Sequence, residues 1–406
     1  MLKNYKKYFP WFLKNKSWIY ADSSATSLKP KEVINAVSEY YEKYCTNPHN
    51  NDSSLASKVN EKIKSTRELV ANFLNVKNSN QIIFSSGATE SLNLIINNVQ
   101  LLLKPEDEVL ITYAEHSSNL IPWIEASLKN KFKLIFPKDS SSFPSEQQLL
   151  NSINKNTKII SFTSASNLFG YTFSIQNIVK FARKKNPNII IIVDATQYIP
   201  HHPINIDKLD VDFLVFSMHK MCGPSGVGIL FGKMKHLEKM TPMRLGGGTV
   251  SSVEKNLKIN YSPIPHRFEG GTPNTEGILA TYSAIKFLQK IGMENVEKHE
   301  IELKKYFDKK IKDIKNIDYA SKDSLFPVIA LNYKGINPQD FANYFGKNKI
   351  IVRGGTACVK LAYMFTGNKS GYVRISLYIY NDFSDIDKII NVIKKFKPSK
   401  ILEKII

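Results

Sequence analysis

The sequence predicts an α/β protein: a large unit on a mainly parallel, seven-stranded sheet with helices on both faces, followed by a smaller α+β unit. Three observations carry this reading. Seven short runs rich in β-branched residues alternate with helix-like segments up to about residue 231, the order in which helical crossovers return parallel strands to one sheet. Between Asn188 and Asp194 the chain reads as unbroken aliphatic residues rather than an alternation, as in a central strand buried on both faces. After Thr275 the texture changes to long amphipathic helices with few strands between them.

In chain order, strands are expected at Ile82 to Phe84, Val109 to Thr112, Phe132 to Phe136, Lys158 to Thr163, Ile189 to Asp194, Phe213 to Ser217 and Gly228 to Phe231. Each is short and bounded by turn residues. Glu90 to Leu103, Asn119 to Lys129, Ser145 to Ile153 and Ile175 to Lys185 carry the apolar spacing of helices. Two further helices are expected at Glu276 to Ile291 and Met293 to Ile314, then strand-like pieces at Pro327 to Tyr333 and Val373 to Leu377. The expected division is a large unit over 18–290 and a small one over 291–406, with 1–17 packing against the latter. Without an internal repeat or low-complexity tract, solenoid architectures are excluded.

Composition narrows the function classes. The 406 residues are 42% hydrophobic and 23% charged, which excludes a disordered or fibrous chain. Lys and Arg number 56 against 36 Asp and Glu, a formal charge of +20. That excess admits a nucleic-acid-associated basic protein. Much of it, however, is lysine scattered among Asn and Ile, as at Lys129 to Lys133, Lys304 to Lys310 and Lys394 to Lys400, and no aromatic binding motif interleaves with it. Direct nucleic-acid binding is therefore not expected. Three dispersed cysteines, Cys45, Cys222 and Cys358, fit neither a disulfide framework nor a paired metal site, so no metal is expected. Met1 to Lys16 lacks the apolar core of a signal peptide, and the longest aliphatic stretch, Ile189 to Val193, is too short to span a membrane. A soluble, cytoplasmic protein with no membrane partner is the expectation.

The densest chemical signal lies in Phe213 to Gly228, where a strand ends at Ser217 and is followed by His219, Lys220 and a glycine-bounded loop. A lysine at the mouth of a parallel sheet, held out of water, can form an imine with an aldehyde cofactor. A lone surface lysine after a strand is the commoner case. Upstream, Asp194 ends the buried aliphatic strand and Gln197 follows it. All three residues fall at the carboxyl edge of predicted parallel strands, where ligands collect. A carboxylate there can keep a pyridine nitrogen protonated. The turn Ser85 to Glu90, which includes Ala88 and Thr89, leads from a strand into a helix. Its free N–H groups and the Thr89 hydroxyl suit an anion such as a phosphate, or form a plain N-capped turn.

With these residues in place, the sequence resembles the class V aminotransferases, fold-type I pyridoxal phosphate enzymes, and among them the Suf-type cysteine desulfurases. The likeness runs from IYADSSATSLKP near the start to SLYIYND near the end. It implies a fold-type I transferase with pyridoxal 5'-phosphate as cofactor. Lys220 would be the Schiff-base lysine, Asp194 the partner of the pyridine nitrogen and Gln197 that of the ring hydroxyl. His116 would stack on the ring and move protons, while Ala88, Thr89, Ser217 and His219 would hold the phosphate. Asn167, in SASNLFG, would contact cofactor and substrate, and Arg374 would clamp the substrate carboxylate. Thr272, in HRFEGGTPNT, would reach the phosphate of a neighbouring subunit, which implies a homodimer.

Cys358, in IVRGGTACVKL, occupies the family's persulfide-forming position, in a glycine-flanked loop expected to be exposed. Cys45 reads as a buried small hydrophobe and Cys222 as a structural thiol beside Lys220. The implied activity is conversion of L-cysteine to L-alanine with a persulfide on Cys358, supplying sulfur for iron-sulfur cluster assembly or thiolation. The implied recipient is a sulfur-acceptor protein of the SufU or SufE kind. Two departures stand out. The Suf-type R-x-G-H-H-C is here Arg353-Gly354-Gly355-Thr356-Ala357-Cys358, and Gln339 stands where enzymes serving a zinc-bearing acceptor carry histidine. A selenocysteine lyase, or another class V aminotransferase with no need of Cys358, is the alternative on the same frame.

Overall fold

The protein is described by a computed structural model over residues 4–48, 51–137, 143 and 145–398. The large sheet consists of β1 (Ile82–Ser85), β2 (Glu108–Leu110), β3 (Lys133–Ile135), β4 (Thr157–Thr163), β5 (Ile190–Asp194), β6 (Phe213–Ser217) and β7 (Gly228–Gly232). Their spatial order is β1-β7-β6-β5-β4-β2-β3. Only β7 runs against its neighbours, β1 and β6. The segment from β6 to β7 is too short for a helical crossover, so the chain turns back on itself. β5 is central, and its lack of alternation has a direct cause. Ile191 and Val193 enter one hydrophobic layer and Ile192 the other, as the two-residue period of a strand requires.

Helices cover both faces. On one lie α1 (Lys31–Glu39), α2 (Ser54–Phe73), α5 (Ile175–Lys185) and α6 (Thr275–Ile291), and on the other α3 (Ala88–Val99) and α4 (Ser117–Asn130). The expected helix from Glu90 starts at Ala88, because Gly87 rather than Thr89 is its N-cap residue, and it gives way to a 3-10 turn after Val99.

Gly292, at φ 85°, separates α6 from α7 (Met293–Ile311), and we propose the boundary of the large unit at residue 290 on that break. A second sheet follows, β8 (Ile317–Tyr319), β9 (Val328–Tyr333), β10 (Arg353–Gly355) and β11 (Tyr372–Ser376), antiparallel in the order β8-β9-β11-β10. It packs on α7, α8 (Pro338–Lys347) and α9 (Phe383–Lys395) through Phe307, Phe341 and Ile389. The N-terminal segment is tied to both units. Lys6 pairs with Asp382 at 2.8 Å and Asp385 at 2.7 Å, Phe9 stacks edge-on against Phe287 and Tyr380, and Ile19–Tyr20 pair in parallel with Ile350–Ile351. Residues 1–3 and 399–406 of the expected units lie outside the described residues. Among the described residues no helix is long and apolar enough to cross a membrane.

Cys45 departs from its expected burial. It follows the π-helical turn Tyr40–Tyr44 that ends the α1 segment, and its side chain is exposed. Cys222 is fully buried, and burial pushes its thiol up to about 12.

Candidate active site

The carboxyl ends of β4, β5 and β6 meet at one edge of the large sheet, and a cavity of about 240 Å³ opens there. Asp194, the last residue of β5, is buried and its Oδ1 accepts from the Thr196 N–H at 3.0 Å. Gln197 donates through Nε2 to the Ser24 carbonyl at 2.9 Å, while its Oε1 and the Thr196 hydroxyl are buried without a partner among the described residues. Buried polar atoms are seldom left so, and here they mark a ligand-facing wall.

After β6 the chain makes a single 3-10 turn, Met218–Lys220. Its geometry is fixed from the N-terminal segment. The His219 carbonyl accepts from the Ser27 N–H at 2.9 Å, the Thr26 hydroxyl at 3.0 Å and the Lys29 amine at 2.9 Å. Burial lowers the Lys29 amine to about 8. The Lys220 amine is likewise brought down to about 8. Desolvation is the main cause, opposed by the Asp194 carboxylate and assisted by the Arg374 guanidinium. His219 falls to about 4, through burial first and then the two neighbouring lysines.

At the adjoining corner, Gly87 offers α3 no side-chain cap. The Ala88 N–H donates to Ser217 Oγ at 2.8 Å, and Thr89 and Ser118 share a hydroxyl contact of 2.7 Å. Gly228 makes this corner buildable. It pairs with both Ser85 and Ser217, and a Cβ there would stand 2.4 Å from Ser85 Oγ and 2.5 Å from the Gly87 backbone.

The opposite wall comes from α4 and the small unit. His116 caps α4, its Nδ1 accepting from the Ser118 N–H at 3.2 Å, which assigns the ring proton to Nε2. Desolvation, then Lys220, lowers its pKa below the ordinary histidine value. Arg374 is buried on β11. Its Nη2 donates to Asp22 Oδ1 at 2.6 Å and its Nη1 to the Asn167 carbonyl at 3.1 Å, and its Nε has no partner among the described residues. Arg353 donates to the other Asp22 oxygen at 3.3 Å. The Cys358 loop completes the wall, with Cys358 exposed at the cavity.

The sequence model of the class V aminotransferases matches residues 19–389. The chain belongs to that family. Within it, a protein of Ureaplasma parvum named "Probable cysteine desulfurase" is 42% identical over 399 residues, 98% of each chain. The apo cysteine desulfurase of Thermococcus onnurineus superposes with a TM-score of 0.90 at 29% identity, over 97% of this chain and 98% of that one. The cysteine desulfurase CsdA of Escherichia coli gives 0.87 at 27% identity, over 98% of each chain.

Class V aminotransferases work with pyridoxal phosphate, and the residues present fit it. The cavity joins a desolvated lysine amine, a buried carboxylate, an unpartnered Gln197 oxygen and an uncapped helix start. Lys220, Asp194, Gln197, His116, Ala88, Thr89, Asn167, Ser217, His219, Arg374 and Cys358 all line this one space. Thr272 does not. It is exposed beside a second hollow with Ser86, Glu90 and Arg244. Sequence reasoning passed over Ser24, Ser118, Thr163, Thr196 and Arg353, which also line the cavity, and Asp22, which serves both arginines. The aspartate in IYADSS was a signal for Asp22, but its partners stand more than 300 positions away in the chain. Glu115 was also passed over. Fully buried, it accepts from Thr112, Asn119 and the Thr163 N–H, and desolvation raises it to about 7.

Proposed function

We propose that this chain is a pyridoxal phosphate-dependent cysteine desulfurase that turns L-cysteine into L-alanine and takes the sulfur onto Cys358. The observation that carries the reading is one cavity holding the Lys220 amine, the Arg374 guanidinium and the Cys358 thiol together. Bound pyridoxal phosphate supplies an electron sink next to the substrate Cα. Lys220, Asp194, Gln197, His116 and the corner of Ala88, Thr89, Ser217 and His219 would hold it.

The chain's own residues do the rest. Arg374 receives the substrate carboxylate through its unpartnered Nε, and Asp22 and Asn167 keep the guanidinium plane from turning. The neutral Lys220 amine accepts the substrate Cα proton and later returns a proton. The Cys358 thiolate attacks the substrate sulfur, so that an S–S bond forms as the substrate C–S bond breaks. L-cysteine and the Cys358 thiol become L-alanine and a Cys358 persulfide, with no outside oxidant or reductant. The proton that the exposed Cys358 thiol gives up passes to solvent, because the basic nitrogen of His116 already accepts from the Ser118 N–H.

We further propose a homodimer in which Thr272 serves the neighbouring cavity, a cytoplasmic setting in keeping with free thiols, and delivery to a sulfur-acceptor protein for iron-sulfur assembly or thiolation. The test is alanine and sulfide release from L-cysteine by the purified chain with pyridoxal phosphate and a thiol reductant. Cys358→Ser should keep substrate affinity and lose turnover by roughly 10²-fold or more. Undiminished alanine release by that variant would sink the assignment. Selenocysteine turnover as the only activity surviving in the variant would favour a selenocysteine lyase.

A further inference from the structure

Ala357 and Cys358 both occupy the left-handed backbone region, at φ 46° and 64°. Residues with a Cβ stay there only when their surroundings hold them. Three hydrogen bonds from outside the loop do so. The Ser117 N–H and the Ser117 hydroxyl both donate to the Cys358 carbonyl, at 2.9 and 2.8 Å. The Asn167 side-chain amide donates to the Ala357 carbonyl at 2.7 Å. Ser117 is the first residue of α4, so its N–H is one that a helix leaves without an internal partner. The hydroxyl adds a second donor to the same oxygen. Asn167 is itself held, since its carbonyl accepts from Arg374 Nη1 at 3.1 Å. A continuous path therefore runs from the carboxylate-binding arginine to the backbone of the thiol loop.

We propose that Ser117 is a positioning residue, a latch that holds the Cys358 loop in its strained form with the thiol on the cavity wall. The inference rests on Cys358 being the residue that takes up sulfur. With the latch made, the thiol faces the same space as Lys220 and Arg374. When it is broken, residues 357–358 relax to ordinary backbone angles, and the sulfur leaves the cavity wall for solvent. The latch thus separates a receiving position of Cys358 from a delivering one. Asn167 makes the receiving position sensitive to what Arg374 binds.

The test compares Ser117→Val with its near-isostere Ser117→Thr, which keeps the hydroxyl, both loaded with pyridoxal phosphate. Single-turnover persulfide formation on Cys358 is followed by mass, and amide hydrogen exchange is followed at Val359, whose N–H bonds the Thr356 carbonyl at 2.9 Å inside the loop. Loss of one neutral hydrogen bond predicts persulfide formation slowed about fivefold and Val359 exchange quickened about fivefold in the valine variant. KM for L-cysteine should change by less than about twofold, and threonine should restore both rates. Should valine disturb folding by circular dichroism, Ser117→Ala takes its place. Faster exchange with unchanged persulfide formation would overturn the positioning role. Slower persulfide formation with unchanged exchange would overturn the latch. Cys358→Ser retaining full turnover would instead strike the reading of function, and the exchange comparison would still judge the latch by itself.

Discussion

A lysine amine in water is neutral in roughly three molecules per ten thousand at pH 7, too few to attack an aldehyde or accept a carbon-bound proton efficiently. With its pKa at about 8, Lys220 is neutral in about one molecule in ten at that pH. The shift is a lowered base, so the reactive neutral form grows as pH rises towards 8. Borohydride trapping of pyridoxal phosphate on Lys220 of the cofactor-free chain should therefore speed up about tenfold per pH unit below 8 and level off above it. A rate still climbing at pH 10 would mean that the amine is not desolvated. Residues of this kind were legible in the sequence because the chemistry sits at strand ends: Asp194 and Lys220 are found by asking where a buried apolar run stops. Asp22, Ser117 and Glu115 were not legible in the same way. Their parts are hydrogen bonds to Arg374, to the Cys358 carbonyl and to the Thr163 N–H, which no local pattern announces.

Elements set how closely such groups approach. The β6–loop–β7 hairpin is the one antiparallel return on this edge of the sheet, and it brings Gly228 against the Ser85–Gly87 turn. Since an added Cβ would stand 2.4 Å from Ser85 Oγ, Gly228→Ala must push Ser85 and Gly87 away from the hairpin. We expect a loss of about 1–3 kcal/mol in urea unfolding together with weaker pyridoxal phosphate binding, measured by titration. A variant that unfolds like the parent would show that the corner yields freely. The strands and crossover helices of the large unit were legible because β-branched runs and apolar helix spacing are local properties. The small sheet was read only in part. β10 is three residues long, with two glycines, and its identity as a strand depends on pairing with β11 rather than on its own preference. Cys45 was misread for a related reason. Whether a lone thiol is covered depends on what folds over it.

At the scale of the whole molecule, Thr272 is the residue that one chain leaves without a task, exposed and apart from its own cavity. If a neighbour's phosphate is its partner, the particle should sediment at about twice 46.2 kDa. Thr272→Ala should then weaken pyridoxal phosphate binding by about tenfold, the worth of one hydrogen bond to a charged group. A monomer at micromolar concentration that binds the cofactor equally well with or without Thr272 would overturn the shared site. Most of the charge of +20 lies away from the cavity, whose lining holds only Lys220, Arg353 and Arg374 of the lysines and arginines among the described residues.

The bond between Asp22 and Arg374 spans 352 positions of the chain, and that distance bears on how the protein is made. A ribosome finishes Lys220, Asp194 and the Ala88–Ser217 corner long before it reaches Arg374. Until the last strand of the small sheet emerges and closes against the first residues synthesised, the Asp22–Arg374 pair cannot form. The part of the cavity wall that Arg374 supplies thus waits for both ends of the chain to meet.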